Sequence, residues 1–572
     1  MHFRAGNHAF RQALRVHCAR SLMRSPAHRA TRAILGVLLL SALVGCDHGL
    51  ASRTADGPGS TDGPVTIDAA VSPRPDAAPR SRDATPAADV PPHPTYTTTA
   101  DFDRSGCQPG GFDQLALDGI WAFEILDGPL GLGLLPPGAR FTRNAGALEG
   151  WLSSMYQDAP LEHLDQSSTE LFFYQHPFQG FPGDILSILA CHTDPATSHF
   201  DGSYALCFNG RCGLGHFRAG RVDRLVGEGE SGGLSKLGEL GVFRDSGPAI
   251  SVNVRVSGNL AFLARYSDGL RILDVSDPAA IREVAHAPIQ TAGEIYNDVK
   301  LVGGVAFMAS DKHGVVSFDV SNPPRPVRLP NLVDGYNVHS VFILGTTLYA
   351  CAIDWAGTGV ASGLAMFDIS NPRAPTQLGQ LYQPERAALL HDLYVEPGRA
   401  YLDYWDAGLI IVDLTDPLRP RELGRYDGYA RRMTNHSSWV TTIGGRKICI
   451  TGDEDFGAHA RILDVTNPAE IHLLSEWQTR PEVSIHNILA DGDRAYIAHY
   501  QDGVRVLDLS NPAEPRQTAY FNTWDPAESQ GAFFFQGALG IDKVGDRLYV
   551  ADAYRGLLIL SAGPQALGVA SK

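Results

Sequence analysis

One five-residue phrase, Asp-apolar-Ser/Thr-Asn/Asp-Pro, occurs six times in the C-terminal half of this chain, starting at Asp274, Asp319, Asp368, Asp413, Asp464 and Asp508. Successive copies stand 45, 49, 45, 51 and 44 residues apart. Seven positions past each Asp comes Pro or Ile: Ile281, Pro326, Pro375, Pro420, Ile471 and Pro515. An apolar run precedes each Asp, as in Gly269-Leu-Arg-Ile-Leu-Asp274, and Gly556-Leu-Leu-Ile-Leu-Ser561 is a seventh such run without the Asp. A period in the forties with about four strands per unit is the signature of propeller blades.

One unit divides into an inner strand at residues 298–302, a second at 305–310, a third at 314–320 and a short outer strand from Pro326, where Pro suits an edge because it cannot donate to a ladder. Seven third strands predict seven blades. The last lacks an outer strand of its own, and Lys236-Leu-Gly-Glu-Leu-Gly241 matches the outer-strand pattern of Gln377-Leu-Gly-Gln-Leu-Tyr382. It is expected to pair with the run from Gly556 and close the ring, which removes exposed strand edges. The repeated Asp is expected to cap the turn after the third strand by accepting backbone N–H groups.

With the units laid out, residues 234–562 resemble an LVIVD-repeat propeller, whose signature is an apolar third strand ending in Asp, as in Leu409-Ile-Ile-Val-Asp413. Residues 430–562 are similar to the propeller type labelled choice-of-anchor B, through Asn435-His436, Gly452-Asp453-Glu454, Ile485-His486-Asn487 and the runs from Gly503 and Gly556. The resemblance implies a fold and surface display through an anchor. It implies no particular reaction, since fold does not dictate function.

The N-terminus fits that display. Residues 1–45 hold seven Arg and no acidic residue, and a short apolar run at 33–44 ends in Leu43-Val44-Gly45-Cys46, which looks like a bacterial lipobox. The resemblance implies cleavage before Cys46 and its diacylation; Met1 or Met23 is the start. Losing seven positive charges takes the formal net charge from −16 to −23, so nucleic acid is not an expected partner, and the membrane is reached through the lipid. The expected location is the outer membrane or cell surface, although Asp47 is a residue that favours inner-membrane retention in some bacteria. Residues 46–100, rich in Ala, Pro, Asp, Ser and Thr, read as a disordered tether.

Residues 101–230 alternate in short apolar stretches and predict a small β-sandwich or barrel. Asn209-Gly210 marks a tight hairpin that sets Cys207 opposite Cys212, and Cys107 with Cys191 follows by elimination. Cys351 and Cys449 lie in apolar strands and read as buried thiols. The expected class is therefore all-β: tether, disulfide-stapled small domain, seven-bladed propeller, and a tail at 563–572.

Aligning the inner strands places Val252, Asn297, His339, His391, His436, His486 and Leu539 in one column, and Asn253, Asp298, Ser340, Asp392, Ser437, Asn487 and Gly540 in the next. Loops opening on the same face carry Trp355, Asp403, Tyr404, Trp405, Asp453, Glu454 and Tyr500. Two readings compete. In one, His391, His436 and His486 with Glu454 or Asp453 meet around one divalent ion, His339 being a further candidate, and Trp355, Asp403, Tyr404, Trp405 and Tyr500 line a rim that binds substrate. In the other, each His bonds a neighbouring blade's backbone and is architectural. The acidic run 453–455 lacks the spacing of a known calcium loop. No Gly-rich phosphate loop, Gly-x-Ser-x-Gly elbow or His-Glu-x-x-His helix occurs. The expectation is a surface-displayed binding or scaffold protein that takes a protein or glycan on the propeller face. The alternative is a metal-dependent hydrolase or oxidase with its site in the funnel.

Overall fold

The computed structural model describes residues 95–563, apart from 106, 108–110, 129–137, 155–156, 177–183, 195, 209–210, 242, 244–248, 331–335, 355–361, 429–433, 456–458 and 528–534. The export segment, Cys46, Trp355, the Asn209-Gly210 turn and the tail from 564 lie outside the described residues. The last residues assigned to the tether do not: Tyr96 is buried, its ring 5.2 Å from that of Phe102, and its carbonyl accepts from Ser187 Oγ at 2.6 Å. An aromatic ring in a polar stretch is enough to dock that stretch on the small domain.

The small domain is one antiparallel sheet of nine strands. Its spatial order runs Gln157–Pro160, Ala147–Ser154, Gly138–Asn144, Gly119–Ile125, Arg211–Val222, His199–Phe208, Ile185–Asp194, Leu171–Gln175, His163–Gln166. The two edge strands are consecutive in sequence, so the sheet curls back towards its own start as a half-barrel rather than dividing into a sandwich. Its concave face closes on Phe112, Trp121, Phe123, Phe141, Phe173, Phe200 and Phe217. Cys207 pairs in register with Cys212 and is disulfide-bonded to it; Cys107 is bonded to Cys191. Cys351 and Cys449 are free and buried.

Seven four-stranded antiparallel blades follow, spanning residues 251–288, 296–328, 338–377, 390–426, 435–477, 488–521 and 538–562. The third strands, such as Gly314–Asp319 and Gly408–Asp413, are buried on both faces up to the terminal Asp, which explains why they read as continuous apolar runs rather than alternating ones. Neighbouring blades meet through separate apolar layers. Tyr549, Leu557 and Ile559 of the seventh blade, for example, pack on Val254, Leu263 and Leu273 of the first.

Closure is as expected: Leu234–Leu240 pairs antiparallel with Gly556–Ala562, with Lys236 opposite Leu560. Arg555 clamps the seam through two bonds to Glu239, at 2.8 and 2.6 Å. Just before it, Ser231–Gly232 adds a fifth strand to blade 6, and Arg505, fully buried, grips Glu228 at 2.7 and 2.9 Å. The repeated Asp plays one part throughout: Asp274, Asp319, Asp368, Asp413, Asp464 and Asp508 each accept from the backbone N–H two residues on, at 2.8–3.0 Å. The Ser276 and Thr415 hydroxyls first, then those backbone bonds and the Arg282 and Arg421 guanidinium groups, hold the Asp274 and Asp413 carboxyls down to about 2.

The half-barrel docks on the face where the inner strands begin. Ile120 and Val222 join Val483, Trp524, Phe535 and Tyr500 in one apolar layer. His199 Nε2 meets Glu482 Oε1 at 2.8 Å, and Arg224 reaches Asp525 at 3.2 Å.

Candidate functional site

Ladders between inner and second strands do not run straight. Registers slip between Leu390 and Asp392, between Asn435 and Ser437, between Val338 and Val341, and between Ala538 and Gly540. The residue left over at each bulge is the one in the first column: His391, His436, His339 (with Ser340) and Leu539. A bulged residue has no cross-strand partner, and its side chain is re-aimed. The propeller thus turns one column of the repeat towards its axis.

His339, His391, His436 and His486 form an arc there, with successive ring centroids 4.0, 4.3 and 4.3 Å apart. Trp405 flanks His391 at 5.1 Å, and Tyr500 flanks His486 at 5.1 Å. His391 Nδ1 lies 3.3 Å from His436 O, and His486 Nδ1 lies 2.7 Å from Leu539 O. A carbonyl only accepts, so each Nδ1 donates and each Nε2 keeps its lone pair. The architectural and the ligand readings are therefore the two ends of the same ring. His436 Nδ1 has no formed hydrogen bond, and the matching carbonyl, His486 O, accepts from Ser437 Oγ at 2.6 Å.

Glu454 faces this arc. His391, His436 and Glu454 each present one ligand atom within 4.8 Å of the others. His436 Nε2 is 3.7 Å from Glu454 Oε2, and His486 Nε2 is 4.0 Å from Glu454 Oε1. Two ligands about 2.1 Å from one tetrahedral ion stand about 3.4 Å apart, closer than the 4.8 Å that bounds this set. The Tyr500 hydroxyl donates to Glu454 Oε1. Burial, then the neighbouring imidazoles, hold His391 and His436 well below the usual imidazole range, and burial takes His486 down to about 4. All three are neutral at neutral pH, the form a metal needs. Burial pushes the Glu454 carboxyl up to about 8, against the pull of the Tyr500 bond.

Other candidates fall elsewhere. Asp453 points to Arg461, with which it forms a buried ion pair, so of the two adjacent carboxylates only Glu454 faces the imidazoles. Successive strand residues point to opposite faces, and Asp453 ends its strand facing the third. His339 turns to Asn297, 3.2 Å away, and is not part of the three-residue group. Asp403 is not a rim residue: it is fully buried and accepts from Asn435 and Ser438, each at 2.8 Å. Tyr404, Trp405 and Tyr500 are buried too, Tyr404 within the layer between blades 3 and 4, so they wall the interior rather than line a rim. The second column forms a polar belt: Asp298 accepts from Asn253 at 2.6 Å, and Ser340 Oγ lies between Asp298 at 3.2 Å and Asp392 at 2.5 Å. Arg271, Arg461 and Arg505 stand at one third-strand position, three residues before the repeated Asp, each buried against acidic groups, a recurrence visible in the repeat itself.

His499 is buried beside Trp477, and burial takes it down to about 4. A histidine depressed in the folded state binds a proton more readily when unfolded. Its contribution is therefore present above about pH 6.5 and is lost as pH falls towards 4. Urea midpoints measured from pH 7 to pH 4 are expected to fall, with a shallower slope in His499→Gln; an unchanged slope would remove His499 from that account.

A family model described as LVIVD repeat matches residues 249–286, 295–333, 391–428 and 484–523, which carry blades 1, 2, 4 and 6. The chain thus carries four matched LVIVD repeats on a seven-bladed propeller, and the remaining blades keep the four-strand ladder with more divergent sequence. No curated protein matches the chain. Among solved structures, the computationally designed Ika8 protein is similar at 8% identity and a TM-score of 0.39, over 57% of this chain and 99% of that one.

Proposed function

We propose that this LVIVD-repeat propeller is a binding protein of the cell envelope, and that its axis takes one divalent transition-metal ion on His391, His436 and Glu454. The observation carrying the reading is the meeting of two imidazoles and a carboxyl group within 4.8 Å, all buried, on three different elements of blades 4 and 5; an ion bound there would displace the carboxyl proton. Nitrogen and carboxylate donors suit zinc, manganese or iron. The Nδ1 bond of His391 to a backbone carbonyl is the outer-shell contact that orients a ligating ring, and Tyr500 does the same for Glu454. Lipid attachment at Cys46 would hold this propeller at the outer membrane or cell surface, with its face offered to a protein or glycan. Three protein ligands also favour a second reading, a metal-dependent hydrolase or oxidase, because they leave coordination positions open for a substrate.

Metal content by mass spectrometry on the purified protein tests the site. About one equivalent of a transition metal, absent from a folded His436→Ala variant, is the expected result. No metal after supplementation would overturn the reading.

A further inference from the structure

Among the described residues the half-barrel contributes none to the His/Glu group, yet it holds the segment that leads into it. We propose that Glu482, gripped by His199 of the half-barrel, is a positioning residue for the axial site; this rests on the metal reading above.

The chain of contacts is short. Glu482 is nearly buried, and His199 Nε2 holds its Oε1 at 2.8 Å. Gly220, beside His199 in the sheet, is pressed against the same side chain: a Cβ there would stand 2.5 Å from Glu482 Cγ. Val483 packs with Ile120 and Val222 of the half-barrel. Ser484 Oγ donates at 3.2 Å to the carbonyl of Asp453, the residue before Glu454. Two residues further on stands His486, its Nε2 4.0 Å from Glu454. Five consecutive residues thus run from the domain interface to the site.

In this segment the regular ladder starts later than in its counterparts, although the His486 N–H donates to Ala498 O at 2.9 Å. In blades 4 and 5 the inner strands begin at Leu390 and Asn435, ahead of their histidines, whereas in blade 6 the inner strand is only Ile488–Asp491 and begins after His486. A second route leads to the same carboxylate. Tyr500 lies in the apolar layer shared with Ile120 and Val222, and its hydroxyl bonds Glu454. Its backbone sits at φ +38°, a left-handed conformation that a bulky residue keeps only when its surroundings enforce it. That backbone is pinned by Ala538 of blade 7, through two bonds of 3.0 Å, while the Tyr500 ring shares its apolar layer with Ile120 and Val222; docking and the geometry of the site are linked through that layer, and by reciprocity metal binding tightens docking.

The test loads the purified full protein with Co²⁺ and follows its visible d–d bands and its release to excess chelator. Variants are Glu482→Ala, Gly220→Val and the conservative Glu482→Gln, each checked for folding by circular dichroism. Glu482→Ala and Gly220→Val are expected to change the band shape and speed release by about 10-fold, the low end of what outer-shell partners command, with Glu482→Gln close to wild type. Folded variants with wild-type bands and release would overturn the positioning role and leave the metal reading standing. Wild-type protein that takes up no Co²⁺ would overturn both.

Discussion

Glu454→Gln is expected to lower Zn²⁺ affinity by more than about 100-fold, the upper end of what outer-shell changes cost, because it removes a ligand outright. The substitution suits the site. The amide keeps the shape of the carboxyl, can still accept from the Tyr500 hydroxyl, and leaves the buried layer around it filled. Loss of affinity would then report on the missing carboxylate rather than on collapse of the blade. Competition against a chromophoric chelator reads the affinity, and circular dichroism reads the fold. Asp453→Asn is the matched control: the partner of Asp453 is Arg461, so the variant's Zn²⁺ affinity is expected to stay within a few-fold of wild type. Equal losses in the two variants would mean that Glu454 has no special place in the site.

Arg461→Met is expected to cost about 3–5 kcal/mol of stability, the range for removing one partner of a buried ion pair. Arg461 and Asp453 are both nearly inaccessible to water, and Arg461 is also 3.3 Å from Glu476 on the outer strand. Without the guanidinium the Asp453 carboxylate is left in an apolar blade with nothing to balance it. Urea unfolding followed by tryptophan fluorescence measures the loss. The double variant Arg461→Met/Asp453→Leu is expected to recover most of it, since a well-packed apolar pair replaces a buried salt bridge at little cost. A single-variant loss below about 1 kcal/mol would show that the pair is not structurally important.

These two neighbouring acids show where reading from sequence stops. Asp453-Glu454 is legible as an acidic pair beside a His column, but which carboxylate turns inward depends on strand parity at the end of the second strand. One step along an extended chain reverses the direction of the side chain. The same holds for the His column. Simple alternation does not reveal that its members are bulge residues, because a bulge breaks the period of two on which the alternation rests. Asp403 and Tyr404 look like loop-borne binding residues for the opposite reason: they end a strand that continues into the buried blade.

What the sequence determined by itself was periodic or local. Blade number, third strands, Asp-capped turns, the closing strand from Leu234 and the Cys207–Cys212 staple all follow from patterns spanning a few residues and repeated, because backbone hydrogen bonding and two-sided burial impose the same demand on every blade. What only the tertiary structure decided was convergence. Selecting Glu454 over Asp453, freeing Nε2 by tying Nδ1 to the next blade, and setting His199 against Glu482 all join residues up to 283 positions apart through one-sided contacts. Such contacts leave no period in the chain, since each is made once, at the axis or at the domain interface.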